Sequence, residues 1–66
     1  MEVHLNTYGS YLRKKDEMFE LSIEDRKTKL SPEKISSIVI SNAATITTDA
    51  IQLAMDYNID IVFLDK

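Results

Sequence analysis

Tyr8 stands immediately before Gly9, the only glycine in the 66-residue chain. Glycine reaches positive φ at little cost, so Thr7–Ser10 is predicted to be a turn or bulge carrying an aromatic ring. An exposed ring at a turn can stack on a nucleobase; the same ring packed at a rim is structural. Downstream, Arg13, Lys14, Lys15, Arg26, Lys27 and Lys29 place six of the eight basic residues within seventeen positions. They are interleaved with Asp16, Glu17, Glu20, Glu24 and Asp25. Charged strand edges that discourage aggregation are the first reading of that pattern, and a phosphate-contacting patch is the second.

The remaining inventory is poor in catalysis. His4 is the single histidine and there is no cysteine, so neither a two-histidine nor a thiolate metal site can form. Asp49, Asp56, Asp60 and Asp65 share no spacing that would converge on an ion, and they read as solvated carboxylates. Ser41, Asn42, Thr45, Thr47 and Thr48 precede a helix in an arrangement that can present backbone N–H groups to an anion. That loop lacks glycine and a phosphate-binding lysine, so helix capping accounts for it better.

Positioning falls to a series of short elements. Glu2–Asn6 alternates, with Val3 and Leu5 on one face, as a half-buried strand does. Ser10–Lys15 and Glu17–Glu24 read as two strands around a tight turn at Lys15–Asp16, with Phe19, Leu21 and Ile23 inward and Met18, Glu20 and Ser22 outward. Lys27–Leu30 is a further strand, and Ser31-Pro32 starts a single helical turn. Everything before Ser36 reads as antiparallel. Ser36–Asp65 then reads as strand, loop, helix, strand, and two strands joined by a helical crossover are expected to be parallel. Thr47 is the expected N-cap, Asp49 the first-turn acid and Asn58 a left-handed C-cap. Ala50, Ile51, Ala54 and Tyr57 form the apolar stripe, widened by Leu53 and Met55. Ile59–Leu64 is apolar almost throughout, which predicts a strand covered on both faces.

The fold class expected is α+β: antiparallel hairpins followed by a β-α-β unit in one small β-rich domain, sandwich-like in a larger protein. A domain of this size buries only about 60% of the surface its unfolded chain exposes, so an oligomer, a partner or further chain is expected to support it. The apolar strand running to the last residues suggests that the chain continues beyond Lys66. The hydrophobic fraction of 44% is that of a soluble protein, and no run approaches a membrane span of roughly 20 residues. The first residues lack a signal peptide's basic and apolar regions, so a cytoplasmic protein is expected. A net charge of −3 argues against a general polyanion-binding surface, though not against a local basic patch.

In their order and spacing these elements resemble the N-terminal β-domain of the CRISPR-associated integrase, the first-numbered Cas protein of spacer acquisition. The resemblance runs through Asn6-Thr7-Tyr8-Gly9, Tyr11–Phe19, Leu30–Ile40, Ile46–Ile51 and Ile59–Asp65. It implies a homodimer that joins a small ferredoxin-like partner, the second-numbered Cas protein, and inserts captured DNA into a CRISPR array. It also implies that the catalytic glutamate, histidine and acidic residue, with Mg or Mn, lie in a C-terminal helical domain outside these residues. No catalytic residue, metal ligand or cofactor is therefore assigned here. The resemblance implies that Tyr8 stacks on the end of a duplex with splayed ends; with Arg13, Lys14 and Lys15 of the basic hairpin stretch it makes up the expected DNA-binding set. A regulatory interaction module similar to the sulfate-transporter and anti-sigma-antagonist domain is the alternative, with Thr47 or Thr48 as its phosphorylatable residue. A stand-alone dimerisation domain is the third possibility.

Overall fold

The computed structural model describes residues 1–41 and 43–64. Seven strands, one helix and a 3₁₀ turn follow in the order β1 (Glu2–Leu5), β2 (Tyr11–Lys15), β3 (Met18–Ile23), β4 (Arg26–Leu30), the 3₁₀ turn Pro32–Lys34, β5 (Ser37–Ser41), β6 (Thr45–Ile46), α1 (Thr48–Asp56) and β7 (Asp60–Leu64). They form two sheets. One is three-stranded in the order β1-β5-β7, and the other four-stranded in the order β4-β3-β2-β6.

The three-stranded sheet is parallel throughout. Its register aligns Val3, Ile38 and Ile61 in one row and Leu5, Ile40 and Phe63 in another. A slip of one residue would turn Glu2 and His4 toward the core, so burial of the apolar row fixes the register. The β5–β7 pairing is the parallel crossover expected. The placement of β1 corrects the expectation that everything before Ser36 is antiparallel: β1 lies parallel to β5 and makes no hairpin with β2. Its alternation specified a strand but not a neighbour. Val3 and Leu5 complete the rows begun by Ile38 and Ile40, and the Ser36 N–H donates to the Met1 carbonyl at 2.7 Å.

The four-stranded sheet contains the two hairpins, β2–β3 and β3–β4, both antiparallel. Asp16 and Glu17 close the first, both with positive φ (54° and 62°). Two left-handed residues give a loop whose twist matches the flanking strands. The turn is thus centred one residue later than its expected place. β6 is a further departure: Thr45 and Ile46, inside the expected loop, pair parallel with Tyr11 and Leu12. The crossover from β5 to β7 therefore stitches the two sheets together.

One core lies between the sheets. Val3, Leu5, Ile38 and Ile40 meet Leu12 and Phe19, and α1 adds Ala50, Leu53 and Ala54. Thr47 caps the helix as expected, its hydroxyl accepting from the Ala50 N–H at 3.3 Å and donating to the Asp49 carboxylate. Asn58 takes the left-handed conformation (φ 55°) that ends it. Met55 and Tyr57 are exposed, so the buried stripe is narrower than the sequence pattern.

β7 also departs from expectation. It is an edge strand, and Val62, Phe63 and Leu64 are 43%, 65% and 49% exposed. Only Ile59, just before the strand, is buried. Dense apolarity marks a surface suited to burial, and among the described residues none lies beyond β7 to cover it.

Candidate nucleic-acid interface

Thr7–Ser10 is a turn in which the Ser10 N–H donates to the Thr7 carbonyl at 3.0 Å and Gly9 has φ +79°. A positive φ at the third residue of such a turn is the reason for glycine there. The buried Ser10 hydroxyl adds a second hydrogen bond to the Thr7 carbonyl at 2.6 Å. The Gly9 N–H donates to the Ala43 carbonyl at 2.9 Å, and the Thr45 N–H to the Ser10 carbonyl at 2.8 Å. The turn is therefore tied on both sides. Tyr8 projects from it 88% exposed. A ring this open is presented for contact and contributes little to the core.

β2 leaves that turn with Tyr11 and carries the basic triplet. Alternation divides the triplet between two faces. Lys14 pairs across to Phe19, on the core-facing side, and its ammonium lies 3.2 Å from the Glu17 carboxylate. Arg13 and Lys15 share the outer face with Tyr11. On β3 that face carries Met18, Glu20 and Ser22, and on β4 it carries Lys27 and Lys29. The structure thus keeps Arg13 and Lys15 together, turns Lys14 away, and brings in two lysines from β4. Period-two alternation on β4 was the signal for them, but only the strand register shows that both sets share a face.

At the centre of the outer face sits Glu20, between Arg13 on β2 and Lys29 on β4. Alternation correctly turns it away from the core, yet its residue is only 3% exposed. The Arg13 Nε–H donates to its Oε1 at 2.7 Å. That hydrogen bond, aided by the charges of Arg13, Lys15 and Lys27, holds the Glu20 carboxyl below its ordinary pKa. Glu20 is a buried charge with a partner, as burial demands.

The other sequence candidates lie elsewhere. His4 is exposed on the outer face of the parallel sheet, its Nε2 2.7 Å from the Glu2 carboxylate, which also accepts from the Ser37 hydroxyl at 3.0 Å. These hydrogen bonds, His4 first, lower the Glu2 pKa. At the helix start, the Thr47 hydroxyl holds the Asp49 carboxyl low, so a carboxylate already occupies the place an anion would take. Among the described residues no three His, Cys, Asp or Glu side chains gather as metal ligands. Asp65 lies outside the described residues. No described helix is long and apolar enough to cross a membrane.

Residues 3–66 match the family model of the CRISPR-associated protein Cas1. The chain belongs to the Cas1 family. A curated Cas1 relative, the CRISPR-associated endonuclease Cas1 2 of Saccharolobus solfataricus, is 31% identical over 62 residues, covering 94% of this chain and 20% of its own length. The chain thus spans about a fifth of that relative. The fold is shared with solved Cas1 structures. The TtCas1–DNA complex superposes with a TM-score of 0.86 at 8% identity, over 100% of this chain and 23% of the other. A Cas6-RT-Cas1–Cas2 complex superposes with a TM-score of 0.86 at 17% identity, over 98% of this chain and 7% of the other. Those structures share the α+β arrangement of hairpins and a β-α-β unit, and Cas1 membership displaces the anti-sigma-antagonist alternative.

Proposed function

We propose that this chain is the N-terminal dimerisation and DNA-positioning domain of a CRISPR-associated integrase, a metal-dependent DNA endonuclease that inserts captured DNA as new spacers. The observation that carries this reading is the Cas1 match over residues 3–66. Relatives solved with DNA and with Cas2 support duplex DNA and a small ferredoxin-like Cas2 as partners. The exposed apolar strand β7 supports a homodimer or further chain packed against the sheet edge.

In this reading Tyr8 stacks on the last base pair of a duplex with splayed ends, held by the tied turn around Gly9. Arg13 and Lys15 contact phosphates along the strand that follows, while Lys14 faces the other side of the strand beside Glu17. Mg or Mn would be held by a C-terminal helical domain of the longer protein, as the resemblance implies. The protein acts in the cytoplasm, where the array is.

Because a stacked ring sets where the duplex stops, Tyr8→Ala is expected to broaden the lengths of inserted fragments more than it weakens DNA binding. Sequencing of newly acquired spacers measures this directly. An unchanged length distribution would remove Tyr8 from the site.

A further inference from the structure

We propose that the outer face of the four-stranded sheet is a phosphate-contact surface built jointly by Arg13 and Lys15 of β2 and Lys27 and Lys29 of β4, with Glu20 as the positioning residue that orients Arg13. The proposal rests on the DNA-positioning reading and extends it to a second strand and an orienting carboxylate.

The strand register supplies the geometry. Arg13, Glu20 and Lys29 form one row across the sheet, and Tyr11, Ser22 and Lys27 form the next. Lys15 lies beyond Arg13 on β2, opposite Met18. Cations two residues apart on a strand are separated by roughly 7 Å, and β2 and β4, with β3 between them, by roughly 10 Å. Four cations therefore cover a small area, with Glu20 among them and Asp16 at the edge beside Lys29. Lys15 and Lys27 form no salt bridge among the described residues, and Lys29 reaches Asp16 only at 3.9 Å.

The composition selects a nucleic acid over a protein. Protein interfaces deplete charge at their centres and place apolar anchors there. This face has an ion pair at its centre, with Met18 and Tyr11 toward its margins. Nucleic-acid interfaces are polar and strongly positive. Of the acids, Glu2 and Asp60 lie on the other sheet's outer face, Asp49 and Asp56 on the helix, and Asp16, Glu17, Glu24 and Asp25 in the two hairpin turns, so on this face's strands only Glu20 opposes the cations.

Glu20 sharpens the surface. By accepting from Nε it fixes the Arg13 side chain and leaves the guanidinium's terminal N–H groups available for a phosphate. It also lowers the net charge of the face by one, so it limits affinity while it supplies order.

The test measures duplex DNA binding by the full-length protein as a function of salt. Each lysine contacting a phosphate contributes about 0.9 to the slope of log K against log salt, so K15Q/K27Q/K29Q is expected to reduce that slope by about 2 to 3. The K34Q variant, a lysine on the 3₁₀ turn away from this face, is expected to retain it. E20Q, which removes the charge and keeps an oxygen acceptor, is expected to bind about fivefold tighter at low salt, as one fewer negative charge near phosphate implies. E20A, which loses the acceptor as well, is expected to fall below E20Q in affinity at an unchanged urea midpoint, and equal DNA binding by E20A and E20Q would overturn the positioning role. The single variant K27Q, losing about 0.9 in slope, serves if the triple variant does not fold.

Wild-type binding with an undiminished slope in the triple variant would overturn this surface and leave the DNA-positioning reading standing. Failure of the wild-type protein to bind duplex DNA would overturn both. Loss of a protein partner in the triple variant, with the DNA slope unchanged, would assign the face to that partner and overturn the proposal.

Discussion

Glu20 shows how a single residue departs from its sequence pattern. Alternation around Phe19 and Leu21 gives its direction but not its depth, because the side chains that cover it come from the hairpin pairing. Its folded-state pKa is lowered chiefly by the Arg13 hydrogen bond, that of Glu2 by His4 and then Ser37, and that of Asp49 by the Thr47 hydroxyl. A carboxylate with a depressed folded pKa adds stability that is present above its unfolded pKa and lost as pH falls through the folded one. All three act with the same sign. Urea midpoints are therefore expected to hold near neutrality and fall below the ordinary carboxylate range. In E20Q that acid-dependent fall is expected to be shallower; an identical pH profile would mean that the Arg13–Glu20 pair adds nothing to stability.

Elements were more legible than their partners. The cap at Thr47, the left-handed Asn58, the 3₁₀ turn after Ser31 and the strand alternations are local signals, and each lies in the structure where its residues implied. The parallel mate of β1, the stitching strand β6 and the edge position of β7 depend on residues 30 or more positions away, or on neighbours across a sheet. Two residues cannot announce a strand by periodicity, so β6 is indistinguishable from loop in the sequence. The candidate site divides in the same way: the Tyr8 turn follows from Gly9 alone, whereas the union of β2 and β4 lysines needs the register.

The β2–β3 hairpin carries an element-scale cost. Glu17 adopts φ 62° beside Asp16 at φ 54°. Side chains disfavour that region by roughly 1–2 kcal/mol, and Asp-Gly is a favoured pair for such a loop. Glu17→Gly removes the penalty and loses one exposed pair with Lys14, itself worth little. A net gain of about 1 kcal/mol is expected, raising Tm by about 4–8 °C in a domain this small. Thermal unfolding followed by circular dichroism checks it, and an unchanged or lower Tm would show that the loop carries no such strain.

At the scale of the molecule, the core is shared by elements that are not neighbours in sequence. Phe19 is fully buried on β3, facing residues of the parallel sheet and the helix within one cluster. With 66 residues, a total stability of roughly 3–10 kcal/mol is the expected range. Truncating a buried phenylalanine to alanine costs about 3–5 kcal/mol, a large part of that total. Phe19→Ala is therefore expected to unfold both sheets together, including the Tyr8 turn, which hangs on β2 and β6. Phe19→Leu retains much of the volume and is expected to stay folded, with a lower urea midpoint. Hydrogen exchange in the Phe19→Leu variant separates cooperative from local behaviour: protection is expected to fall by a similar factor in β2, β3 and β5. Loss confined to the β2–β3 hairpin would mean that the two sheets are independent units.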